Sequence, residues 1–408
     1  MLALLVGAGA GAVGAQAPTP ADHARVPAAP PDTQPAPRPW YLRWALRGYT
    51  QIRYNDLFRT NRDLRCPACD GNLGGVADFS IRRSRITFQV TPAERVGVKA
   101  EVDLVTSVGD RLAFLDMREL YADVFLDAGK TAWLRAGLAK VPYGYDNLQS
   151  SSVRVPFDRD DAIESGAPGQ RDIGVFAVWG PAKVHRQLRM LADSGYKGEG
   201  DHGVVSLGIY NGQSANRPEA NDNKHVALRL AWPFELSANQ ILELGVQGYT
   251  GTYTLTADLR TRGVAAPAGY DFRDRRVAVS AVLLPRPFGL EAEWNWGDGP
   301  RYDRTQNAVV NGTLDGGYVL ASYRARLPRG QLLFPFVRAQ WYEGGKKAEL
   351  DARFYDVKEL EVGAEWLAQR AVEITAAYMF SDRRFDDGAL RDNRQKGSTM
   401  RLQVQFNY

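Results

Sequence analysis

Residues 397–408 read GSTMRLQVQFNY. Met400, Leu402, Val404, Phe406 and Tyr408 are apolar, and Thr399, Arg401, Gln403, Gln405 and Asn407 between them are polar. A strict period of two gives a strand with one greasy and one wet face. A soluble sandwich can end on such a strand. A membrane barrel must do something further, which is to hide its last edge by pairing it with its first strand.

The rest of the chain favours the barrel. No stretch after residue 21 has 18 uncharged apolar residues, so no transmembrane helix is available. The mean hydropathy of -0.35 suits a barrel, because half of each strand faces water. The aromatic-terminated last strand is similar to the C-terminal signature of bacterial outer-membrane proteins. Residues 1–17 (MLALLVGAGAGAVGAQA) read as the apolar core of a secretory signal whose positive start is missing. Val13-Gly14-Ala15 and Ala15-Gln16-Ala17 both fit small-x-small cleavage, and Pro18 disfavours the second. Residues 18–43 form a Pro/Ala-rich periplasmic tether, with eight prolines between positions 18 and 39 that preclude helix and ladder.

Residues 44–408 divide into sixteen alternating segments, expected as an all-β, transmembrane, antiparallel β-barrel. Short breaks at 91–95, 127–130, 233–238, 285–287, 327–330 and 368–370 read as periplasmic turns. Longer ones at 55–78, 107–114, 140–170, 212–224, 255–270, 298–314, 344–355 and 381–396 read as extracellular loops. Residues 181–202 break the rule, as an enlarged turn or a mistraced strand near Arg186–Asp193. The faces agree with this tracing. Val98, Ala100, Val102 and Leu104 oppose Lys99, Glu101 and Asp103, and Leu360, Val362 and Trp366 oppose Glu359, Glu361 and Glu365. A charge on the lipid side costs ~2–4 kcal/mol at the midplane, so the charged faces line the interior. Trp133, Trp179, Trp232, Trp294, Trp341, Trp366 and Tyr408 fall near strand ends, as an interfacial belt requires.

Sixteen strands leave an aqueous channel that something must narrow. The longest extracellular connection, the third, is expected to fold inward. It brings Lys140, Arg154 and Arg159 together with Tyr143, Tyr145, Asp146, Asp158, Asp160, Asp161 and Glu164, a mixture that predicts a transverse field. Strand parity nominates Arg83, Arg85, Lys99, Arg135, Arg229, Arg276, Arg324, Arg326, Arg338 and Arg401 as lumen bases, Arg401 near the periplasmic end. A basic track replaces part of an anion's hydration shell with guanidinium contacts. The alternative is that each base pairs with a lumen carboxylate and stiffens the wall.

Arg82-Arg83-Ser84-Arg85, the run from Leu134 to Tyr145 (LRAGLAKVPYGY) with Asn147 to Ser152 (NLQSSS) behind it, and Arg171-Asp172-Ile173-Gly174-Val175 resemble the phosphate-selective porin O and P family. The resemblance implies a sixteen-stranded barrel, a homotrimer, and conduction of small anions such as phosphate past arginines and lysines. A weakly selective or cation-leaning porin is the alternative, because lumen acids are about as numerous as lumen bases. A barrel adhesin, receptor or enzyme is the distant one.

Other chemistries find little support. Cys66 and Cys69, in the first loop, are the only cysteines, and in an oxidising compartment they are expected as a loop disulfide. The four histidines are scattered, and no nucleophile motif or phosphate loop is present, so neither enzyme nor cofactor nor metal is expected. A formal charge of +4 from 51 bases and 47 acids is no nucleic-acid footprint. The expected surroundings are outer-membrane lipid and lipopolysaccharide.

Overall fold

The computed structural model describes residues 39, 43–66, 73, 79–105, 114–193, 195–237 and 240–408. The signal segment and nearly all of the tether lie outside them. The strands are β1 (Trp44–Leu57), β2 (Phe79–Ala93), β3 (Val96–Val105), β4 (Phe114–Phe125), β5 (Ala132–Lys140), β6 (Arg171–Trp179), β7 (Val205–Tyr210), β8 (His225–Ser237) and β9 (Gln240–Thr254). They continue as β10 (Asp271–Leu283), β11 (Phe288–Asp303), β12 (Ala308–Tyr323), β13 (Ala325–Arg326), β14 (Leu332–Gly345), β15 (Phe354–Gln369), β16 (Val372–Asp386) and β17 (Arg394–Asn407). β13 is a two-residue continuation of β12 beyond Arg324, so the wall is a closed antiparallel barrel of sixteen staves.

Closure occurs where the last strand predicts it. β17 pairs with β1, Gln51 opposite Gln405 and Arg53 opposite Gln403. The Gly48 and Tyr408 backbones exchange N–H···O bonds of 2.7 and 2.9 Å. A Cβ at Gly48 would meet the Tyr408 ring at 2.2 Å, so only glycine admits that aromatic at the seam.

The period-two pattern translates directly into burial. Along β8, His225, Ala227, Arg229 and Ala231 are buried, while Val226, Leu228, Leu230 and Trp232 are exposed on the outer face. Outward apolar and inward charged side chains invert a soluble protein's arrangement, as hydrocarbon outside and water inside demand. Trp179, Trp232, Trp341, Trp366 and Tyr408 are exposed on the outer face. Trp133 departs from the expected belt. It is 4% exposed and points inward, packed between Phe125 and His185 with ring centroids 5.9 and 5.0 Å away.

Two connections differ from expectation. Residues 298–314 are no loop: β11 and β12 continue through them in register to a four-residue turn, with Asp303 opposite Ala308. Residues 181–202 hide no strand, and Ala182–Asp193 forms a helix, α3. Val184, Leu188 and Leu191 lie at i, i+4 and i+7 and are buried, while Lys183 and Arg189 stay exposed.

Candidate functional site

The third loop, joining β5 to β6, occupies the barrel interior. It contains the short helices α1 (Tyr145–Leu148) and α2 (Asp161–Gly166), the latter capped by the Asp160 carboxylate accepting from Ile163 N–H at 3.0 Å. Gly144, at φ 86°, allows the two helices to touch, since a Cβ there would lie 2.3 Å from Ile163.

Wall residues grip this loop at several points. Glu293 on β11 accepts the N–H groups of Tyr145 (2.8 Å) and Asp146 (3.2 Å). Asn295 bonds the Tyr143 hydroxyl and donates to the Ala162 carbonyl at 3.2 Å. Asp158 receives Arg53 at 3.2 Å and Arg401 at 2.5 Å, and both guanidinium groups stack on Phe157 at 4.9 and 4.8 Å. Arg338 donates to the Asp158 carbonyl at 2.6 Å and pairs with Glu361 at 3.0 Å. Asp161 pairs with Arg383 at 2.8 Å and with Lys346, which reaches in from the β14–β15 loop. Arg276 donates to Ser165 at 2.5 Å and to Asp274 at 3.3 Å.

The loop leaves space along the β2–β5 wall. One polar cavity of about 190 Å³ is lined by five bases, Arg82, Arg83, Arg85, Arg118 and Arg159, against four acids, Asp103, Asp116, Asp158 and Glu164. A second, about 310 Å³, lies nearer the periplasmic end and includes Arg47, Lys99, Arg135, Lys140 and Arg171 with Glu101, Glu119, Glu199 and Asp201. Both have one base in excess, so pairing rather than number decides which charges a solute meets.

Most of these bases are compensated. Arg85 meets Asp103 at 2.9 Å, Lys99 meets Glu119 at 2.7 Å, Arg171 meets Glu119 at 2.9 Å, and Arg135 meets Asp123 at 2.7 Å while stacking on Tyr121. Four are different: Arg47 makes no ion pair among the described residues, and the other three meet neutral oxygens. Arg83 donates to the Gln51 amide at 3.0 Å, Lys140 to the Leu148 carbonyl, and Arg159 to the carbonyls of Asp146 (3.1 Å) and Gln149 (2.7 Å). None of the three has a carboxylate within ion-pair distance among the described residues.

The expected bases thus fall into three groups. Arg83, Arg85, Arg159, Lys99, Arg135 and Lys140 line the two cavities. Arg229, Arg276, Arg338 and Arg401 are buried holding inserted segments, and Arg154 is bound within the loop, donating to Pro156 and Phe157 carbonyls. Arg401 stands in mid-strand rather than near the periplasmic end, because β17 runs from residue 394 to 407. Arg324 and Arg326 sit at the periplasmic break after β12, half-buried and exposed, with Arg324 over the Tyr196 ring at 4.6 Å. Cys66 is buried and disulfide-bonded, and Cys69 lies outside the described residues. Arg53 and Arg383 were absent from the expected set, although Arg53 shares polar parity with Gln51 and Asn55. Lys346 and Lys347 gave no local signal, being a charged pair in an apparent outer loop.

No curated protein sequence matches the chain. Among solved structures it is similar in fold to the outer membrane channel DcaP of Acinetobacter baumannii, with 14% identity and a TM-score of 0.53 over 90% of this chain and 97% of that one. The trimer form of OmpT of Vibrio cholerae gives 11% identity and a TM-score of 0.53, covering 90% and 100%. Salmonella typhi OmpF in complex with daunomycin gives 13%, 0.53, 90% and 97%. The sequence profile of the phosphate-selective porin O and P family matches residues 58–408. With the closed barrel and its apolar outer face, that match makes this chain a member of the phosphate-selective porin O and P family, an outer-membrane porin.

Proposed function

We propose that the barrel is a passive, anion-leaning diffusion channel, with phosphate or a related small oxyanion as favoured solute. Family and fold indicate a channel rather than an enzyme. The observation that carries the anion preference is the pairing state of Arg83, Arg159 and Lys140. These cations border the space left by the third loop and meet only amide, carbonyl or hydroxyl oxygens. An oxyanion accepts from guanidinium groups in the fork geometry that suits phosphate, so it can exchange water for these donors. The competing reading, a weakly selective or cation-leaning porin, draws on Glu164, whose carboxylate meets the Gln170 amide at 3.0 Å rather than a base.

The proposed assembly is a homotrimer, as in the trimer form of Vibrio cholerae OmpT. The proposed outer-leaflet contact is lipopolysaccharide phosphate, at a lateral row of Trp341, Lys358, Asp382 and Lys396 on neighbouring strands near the extracellular end. The deciding measurement is the reversal potential of the purified protein in a planar bilayer under a KCl gradient, followed by phosphate as blocker. An anion-side potential with block by phosphate is expected. A cation-side potential without block sinks the anion reading.

A further inference from the structure

Sequence treats the connection between β6 and β7 as a turn of unexplained length. In the structure it crosses the barrel. Helix α3 lies by the periplasmic mouth, and residues 195–203 continue from it into the lumen. They reach the wall opposite β6 and β7: the buried Lys197 ammonium pairs with Glu365 on β15 and lies 4.8 Å from the Phe334 ring on β14. Two residues on, buried Glu199 pairs with Arg229 on β8, which also holds Glu243 at 2.9 Å. The insert then meets the third loop from below. The Lys197 carbonyl accepts from the Tyr145 hydroxyl at 3.1 Å and the Gln149 amide at 2.6 Å.

The backbone is built for this path. Gly195, Lys197, Gly200 and Gly203 have φ of 68°, 64°, 106° and 71°. Three are glycines, for which the region is open. Lys197 is not, and the two hydrogen bonds on its carbonyl together with its ion pair hold it there. Removing Lys197 leaves the buried Glu365 carboxylate without its partner, whereas Arg229 keeps Glu243 when Glu199 is removed, so Lys197 is the stronger of the two anchors. On its other side the insert faces the second cavity, where Gly198, Gly200 and His202 stand across from Lys99, Arg135 and Lys140.

We propose that residues 195–203 form a second selectivity constriction on the periplasmic side, with Lys197 and Glu199 as the anchors that position it. Solute leaving the third loop is confined between this insert and the basic β2–β5 wall, so the insert sets how closely an anion passes Lys140 and Arg135. This rests on the reading of the barrel as an open channel, and concerns where selection happens rather than its sign.

The test uses the full-length protein in planar bilayers. Lys197→Met with Glu199→Gln releases both anchors and is expected to raise single-channel conductance about twofold and move the chloride-to-potassium permeability ratio towards one. Unchanged conductance and ratio in that double variant overturn the proposal. A second arm decides if the double variant fails to insert. His202→Cys places a thiol in the cavity, and Cys66 is already disulfide-bonded. A cationic methanethiosulfonate is expected to reduce its current by about half or more, faster from the periplasmic side. Equal rates from both sides, or no change in current, overturn it. A wild-type channel that prefers cations sinks the anion reading, yet conductance and sidedness still report on the insert.

Discussion

On one part of the wall, Arg53, Arg338, Arg383 and Arg401 each hold the third loop, through Asp158 or Asp161. On the other, Arg83 and Lys140, with Arg159 of the third loop itself, border open space and touch no carboxylate among the described residues. The residue types are the same and the roles opposite. A buried guanidinium with an acid partner is a fastener whose field is largely cancelled. One bound only to neutral oxygens keeps its charge available to a solute. Counting lumen charges therefore says little about selectivity, whereas counting their partners says much.

The comparison breaks most visibly at Asp158. Asp158→Ala takes away the carboxylate shared by Arg53 and Arg401, and removing one partner of a buried pair costs about 3–5 kcal/mol. The third loop is expected to come loose, giving frequent current flicker in single-channel traces. A quiet wild-type-like trace would mean that the fasteners are redundant. Next in size are Arg83→Ala and Lys140→Met. An unpaired charge ~7 Å from an ion across water is worth about 0.6 kcal/mol, with opposite signs for chloride and potassium, so each variant should lower the chloride-to-potassium permeability ratio about sevenfold. Arg135→Ala combined with Asp123→Asn sharpens the contrast. That double variant removes a neutral ion pair, and the ratio should change by less than about twofold. An effect of the pair removal equal to that of Arg83→Ala would dissolve the distinction between paired and unpaired bases.

The smallest expected effect concerns α3. Burial of His185 works against its imidazolium, but the hydrogen bond (2.6 Å) and charge of Asp201, with help from the Thr131 carbonyl, outweigh it and raise the pKa above its ordinary value. Arg189, also on Asp201 at 2.5 Å, opposes the rise. A raised folded-state pKa gives stabilisation that is complete below about 6.5 and fades as pH climbs through the folded value. Trypsin cleavage at the exposed Lys183 and Arg189 should therefore quicken from about pH 6 to about pH 9, and His185→Gln should flatten that dependence.

Strand faces were legible because hydrocarbon outside and water inside impose period two. The legibility ends where that contrast ends. Residues 298–314 open on Asp298-Gly299-Pro300, a turn signature, and β11 and β12 run past the bilayer there, where no alternating apolar outer face reveals a strand. Helix α3 was hidden by its length, as Val184, Leu188 and Leu191 mark barely two turns. Trp133 looked like a belt residue by position along its strand, but its parity with Arg135 turns it inward under α3. Arg83 could be placed in the lumen from parity. Its lack of a carboxylate could not, since partners come from strands and loops far away in sequence. The inward reach of Lys197 and Lys346 depends on the same long-range register.

Alternation also bears on how the chain reaches its membrane. A run of apolar residues long enough to satisfy the inner bilayer would be retained there during export. Here most outward-facing Val, Leu and Trp residues are followed by an inward-facing polar or small residue, with Phe176 after Val175 and Leu320 after Val319 among the exceptions, and no helix among the described residues is long and apolar enough to span a membrane. The greasy surface does not exist until neighbouring strands assemble side by side. Translocation machinery thus meets a polar-looking polymer, and only the finished cylinder presents a surface that belongs in lipid.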